Sequence, residues 1–127
     1  LLFIKRFLIV ALIFFIGLAF HMYNQEPKMH FKVEWHDFGQ VSEGKQVFYN
    51  FVFTNTGNQP LIISNVDAGC SCTVPEWPKE PIMPGEAGII KVSYNSKDRS
   101  GVFNKAIRIS SNAEMPTKII RIKGVVE

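Results

Sequence analysis

The chain has 127 residues, room for one domain and not for two. Its formal net charge is +3, and from residue 31 onward eleven Lys and Arg are well mixed with ten Asp and Glu. That balance offers no basic field of the kind nucleic-acid binding needs, so no nucleic-acid partner is expected.

The N-terminus differs from the rest. Residues 7–22 read FLIVALIFFIGLAFHM, apolar except for His21, with Lys5 and Arg6 immediately in front. A basic flank before an apolar run directs the N-terminus to the cytoplasm and the following residues across the membrane. Two readings compete. One is a retained signal anchor, at the short edge of what spans a hydrocarbon core. The other is a cleaved signal peptide, with Gly17 and Ala19 as the small residues before Phe20. Bulky Phe20, Met22 and Tyr23 continue the run, and no cysteine follows that could take a lipid, so the expectation is an inner-membrane anchor over residues 1–23. Residues 24–30 read as a polar tether, and residues 31–127 as the folded domain, placed in the periplasm or another extracytoplasmic space. The chain begins at Leu1 rather than Met, so a few preceding residues are expected.

Beyond residue 29 the apolar pattern has period two, broken every eight to twelve residues by Gly, Asn, Asp or Pro, which predicts strands and turns. A first strand is predicted at 31–38 and a second at 45–54, with Val47, Tyr49, Phe51 and Phe53 on one face. Residues 55–58, Asn-Thr-Gly-Asn, form a turn. Further strands follow at 61–66 and, briefly, at 72–74. Pro75, Pro78, Pro81 and Pro84 then exclude a helix or a central strand. Strands resume at 88–94, 103–110 and 118–126, with Ile90, Val92 and Tyr94 sharing a face, as do Ile107 and Ile109, and Ile120 and Ile122. Six long strands and one or two short ones, without crossover helices, predict an antiparallel sandwich. A small barrel satisfies the same alternation.

Phe38-Gly39, Glu43-Gly44, residues 51–57 (FVFTNTG), Pro60-Leu61, Gly69-Cys70-Ser71-Cys72-Thr73, Pro84-Gly85, Gly101, Phe103, Lys105, Ser111-Asn112 and Gly124 fall in an order that resembles a bacterial family. It is a domain of unknown function, common in Bacteroidota, often behind a signal sequence, with a Cys-Gly-Cys-Thr segment. The resemblance covers residues 31–127. It implies an all-β, immunoglobulin-like sandwich of about seven strands behind one hydrophobic helix, similar to the domains of sperm-protein and hydin type, which serve as assembly modules. It implies no catalytic residues and no cofactor. Ser71 stands where the family has Gly, which puts the shape of that loop in question.

Cys70 and Cys72 are the only cysteines. In an oxidising compartment they can close a disulfide, although a bridge across one residue closes almost no loop and adds little by chain entropy. A bridge of that kind is more reducible than a structural one, which opens a thiol-redox reading. Two thiolates can also hold a soft ion, with Met83, His30 or His36 as further ligands, but no spacing commits those residues. The plainest reading is that the pair shapes the turn before the proline segment. No nucleophile elbow, phosphate loop or zinc-protease motif is present, so no enzyme is expected. Trp77 stands between Pro75 and Pro78, and a stiffly held Trp is a partner anchor, or else a cover for an open end of the sandwich. The expected function is a non-catalytic envelope module that binds a protein or surface component through the loop 69–84, with Trp77, Pro75, Pro78 and Pro81, or through an exposed strand edge.

Overall fold

The computed structural model describes residues 1–21 and 25–127, without the side chains of 19–21. Helix α1 covers Leu2–His21, and its described side chains are all exposed. Among the described residues no helix is long and apolar enough to cross a membrane. The end of the expected anchor at 22–23 and the first tether residue, Asn24, lie outside the described residues.

Eight strands follow: β1 (Met29–Phe31), β2 (Trp35–Val41), β3 (Gln46–Asn55), β4 (Ile63–Asp67), β5 (Thr73–Glu76), β6 (Ala87–Asn95), β7 (Gly101–Ser111) and β8 (Thr117–Val126). They form two four-stranded sheets, ordered β1-β3-β6-β5 and β2-β8-β7-β4. This is a sandwich, as the alternation predicts, of the immunoglobulin-like type that the family resemblance implies. The long strands supply its core as expected: Phe51 and Phe53 of β3, Ile90 and Val92 of β6, Ile107 and Ile109 of β7, and Ile120 and Ile122 of β8 are all fully buried. Each such side chain contributes about 1.5–3 kcal/mol relative to an exposed one.

Two corrections concern the first predicted strand. Residues 31–38 are not one strand, because the chain leaves the first sheet at Phe31 and enters the second at Trp35. The change of sheet reverses the alternation. Phe31 is buried while Val33 and Trp35 are exposed, and the inward positions become His36 and Phe38. Splitting that strand gives eight strands in place of about seven. The second correction is that β2 runs parallel to β8, so that sheet is mixed rather than wholly antiparallel.

The proline segment behaves as its chemistry requires. Pro75 lies in β5, an edge strand that pairs only with β6. Asn95 donates its N–H to the Cys72 carbonyl, so by ladder alternation Val74 faces β6 while Thr73 and Pro75 face outward. The missing N–H of Pro75 therefore falls on the open side, where no partner is needed.

Candidate functional site

Two regions of the sandwich carry chemistry or unused bonding capacity. The first is the loop joining β4 to β5. Asp67 ends β4 and accepts the Gly69 N–H at 3.0 Å, while Gly69 takes φ +66°, a conformation that favours glycine. The turn brings Cys70 and Cys72 together as a disulfide with Cα atoms 5.3 Å apart. Ser71 between them is exposed and is not among the residues with positive φ, so the loop as folded makes no demand for Gly at that position.

The two sulfurs are not equivalent. Cys72 is 6% exposed, and its Sγ lies 3.5 Å from Thr73 Oγ1. Cys70 is half-buried, and two donors converge on its Sγ: the Cys72 N–H at 3.2 Å and the Arg99 guanidinium at 3.8 Å. Arg99 is placed by the turn after β6, where its N–H bonds to the Ser96 carbonyl and Asp98 takes φ 58°. Asp98 in turn donates its N–H to Glu43 Oε1 at 2.7 Å. Sequence reading missed Arg99 because 29 residues separate it from Cys70, and only the pairing of β5 with β6 brings the two turns together.

The other residues singled out in the sequence are dispersed. Trp77 is half-buried against the core, with the Lys79 ammonium 3.0 Å from its ring centroid, a cation–π arrangement that covers its outer face. Pro78 is half-buried and Pro81 exposed. Trp35 is 58% exposed on β2, with the Lys123 ammonium 4.5 Å from its ring centroid. His36 stacks on Tyr49, and His30 stands exposed on β1. Among the described residues no three His, Cys, Asp or Glu side chains converge as metal ligands.

The second region is the free edge of β3. β1 pairs with β3 only over Phe53, Thr54 and Asn55, and the Lys32 N–H adds one bond to the Val52 carbonyl. That carbonyl points away from β6, so by ladder alternation the N–H and C=O groups of Gln46, Phe48 and Asn50 also face outward. No described strand pairs with them there. β3 contains no charged residue and no proline over its whole length, and Phe48 is 57% exposed beside this edge. Next to it a groove of about 750 Å³ follows the change of sheet, lined by Val33, Trp35, His36, Asp37 and Tyr49 among others. Burial lowers the pKa of His36 below its ordinary value, against the opposing effect of Asp37.

Residues 29–126 match the family described as protein of unknown function (DUF1573), and the chain belongs to that family. No curated protein matches the chain. Among solved structures it resembles a protein of unknown function from Porphyromonas gingivalis W83, with 19% identity and a TM-score of 0.70 over 80% of this chain and 47% of that one. The chain thus spans about half the length of that relative. The ASH/PapD-like domain 7 of human CEP192 gives 9% identity and a TM-score of 0.62, covering 80% of this chain and 87% of that one. The secreted serine protease VesC from Vibrio cholerae gives 16% identity and a TM-score of 0.60, covering 78% of this chain and 23% of that one. At these identities the likenesses establish a shared immunoglobulin-like, PapD-like fold.

Proposed function

We propose that this member of the family is a non-catalytic, exported module of the cell envelope that binds another protein by accepting an extended segment as an added strand beside β3. The observation that carries the reading is the open edge at Gln46, Phe48 and Asn50, whose backbone donors and acceptors face outward with no proline or charged residue in β3 to block them. Proteins usually protect such edges with charges, prolines or a covering segment. The opposite edge of the same sheet has that protection in Pro75. An incoming strand would continue the line of β1 antiparallel to β3. Main-chain bonds would provide affinity, and the groove at His36 and Tyr49 would select side chains. The loop with Trp77, Pro78 and Pro81 lies beyond the other edge of the sheet, with Trp77 already occupied by Lys79.

The export part of the reading is supported by Lys5 and Arg6 before the apolar run and by the exposure of every described side chain of α1. With that segment as an inner-membrane anchor, the sandwich stands on the extracytoplasmic side.

The test is partner retention by the full chain solubilised from its native envelope. Asn50→Pro removes one outward N–H and obstructs an incoming strand while leaving the bonds to β6 in place. A partner retained by the wild-type chain and by Trp77→Ala, and lost with Asn50→Pro, is the expected result. Equal retention by Asn50→Pro overturns strand addition, and loss with Trp77→Ala alone transfers binding to the proline loop.

A further inference from the structure

We propose that the Cys70–Cys72 pair is a thiol–disulfide exchange site in which Cys70 is the exchanging sulfur and Cys72 the resolving one. The inference is independent of strand addition at β3 and rests on the asymmetry of the pair. Cys70 is the more accessible residue of the two, and the Cys72 N–H and the Arg99 guanidinium both point at its sulfur. A cation and a backbone donor favour a thiolate, and the thiolate is the attacking species. Cys72 is 6% exposed, which shields it from an external disulfide but not from its neighbour two residues away.

The electron balance follows from those positions. In the reduced protein the Cys70 thiolate attacks one sulfur of an external disulfide. A bond forms from Cys70 Sγ to that sulfur, the external S–S bond breaks, and the departing thiolate takes a proton from water. Cys72, losing its proton to water, then attacks Cys70 Sγ and displaces the second external thiolate. The dithiol has been oxidised to the Cys70–Cys72 disulfide, and the external disulfide reduced to two thiols. In reverse, an external thiolate attacks Cys70 Sγ and releases Cys72 as its thiolate. A second thiol then frees Cys70.

Arg99 is a positioning and electrostatic residue in this scheme. Its guanidinium, 3.8 Å from Cys70 Sγ, favours the thiolate over the thiol. A better stabilised thiolate is also a weaker nucleophile, which offsets part of that gain and leaves a modest net acceleration.

The experiment uses the full chain in detergent, reduced and then exposed to glutathione disulfide at pH 7, with adducts followed by intact mass. With Cys72→Ser, Cys70 is expected to form the mixed disulfide about tenfold faster than Cys72 does in Cys70→Ser, given the difference in thiolate character and access. Adding Arg99→Gln to Cys72→Ser is expected to slow the reaction about threefold, and Arg99→Lys to restore most of it. The wild-type chain should pass to the internal disulfide without accumulating the adduct. Equal rates for the two cysteines, or indifference to Arg99→Gln, overturn the assignment, provided circular dichroism shows each variant folded. In acid-quenched native envelope, Cys72→Ser should carry a reductant-sensitive adduct at Cys70, of small-thiol or protein mass according to the source of the disulfide. An unmodified thiol there overturns the exchange role.

Discussion

The His36 imidazole lies flat on the Tyr49 ring, with centroids 3.9 Å apart and planes 11° from parallel. Since His36 belongs to β2 and Tyr49 to β3, this stack joins the edge strand of one sheet to an inner strand of the other beside the groove. Phe38 meets the same imidazole edge-on at 4.7 Å.

Stability should fall on mild acidification through this residue. Burial holds the His36 pKa below its ordinary 6.5, with Asp37 opposing, so the unfolded chain binds the proton more readily than the folded one. The contribution is fully present above pH 6.5 and is lost as pH falls from there through the lower, folded-state value. His36→Phe keeps an aromatic ring on Tyr49 and removes the titration. Urea midpoints at pH 8 and pH 5 should differ by more in the wild-type chain than in the variant, and equal differences would count against the assignment.

Asn55 should be among the costliest polar positions to change. Its side chain is fully buried, accepts the Lys28 and Gly57 N–H groups, and donates to the carbonyls of Gln59 and Ile82. One amide therefore ties the segment entering β1 to the turn after β3 and to the chain ahead of β6. Asn55→Ala leaves those groups without partners and should cost roughly 3 kcal/mol in equilibrium urea unfolding. Asn55→Asp sets a carboxylate against two carbonyls and should be at least as destabilising.

Gly124 should not tolerate even a methyl group. A Cβ there would lie 2.6 Å from Phe103 Cζ and 3.0 Å from the Gly39 carbonyl, and Phe103 is fixed by stacking on Tyr94 at 4.0 Å between centroids. Gly124→Ala should cost about 1–3 kcal/mol by overpacking. In a domain of this size each kcal/mol lowers the melting temperature by about 4–8 °C, which calorimetry resolves.

Removing the disulfide should matter much less. Cys70 and Cys72 are separated by one residue, so the bridge restricts the unfolded chain little. The double variant Cys70→Ser, Cys72→Ser should fold and lose less than about 2 kcal/mol. A chain that fails to fold without the bridge would show it to be a structural clip.

The sequence made the core of the sandwich readable because β3, β6, β7 and β8 alternate for nine to eleven residues each, long enough to fix which face is buried. It hid what depends on pairing. Phe31, Val33 and Trp35 look like one face of one strand, and the reversal across residues 32–34 comes from the sheet change, which leaves no turn residue behind. The parallel partnership of β2 and β8 joins segments some 85 residues apart. At the candidate sites, the two cysteines were visible as a pair, whereas Arg99 reached Cys70 only through the β5–β6 pairing. The free edge of β3 was equally invisible, because it results from β1 stopping after three residues.

Strand addition at β3 is tested most directly by a photo-crosslinking side chain in place of Phe48, with the full chain in its native envelope. Phe48 is exposed on the stretch of β3 whose outward backbone groups, at 46, 48 and 50, are unused by described residues. One discrete adduct with another protein is expected, lost when Asn50→Pro is added, with none formed from the same probe at Val102 on β7. No adduct at position 48, an adduct with a second copy of this chain, or an adduct unaffected by Asn50→Pro would contradict the account.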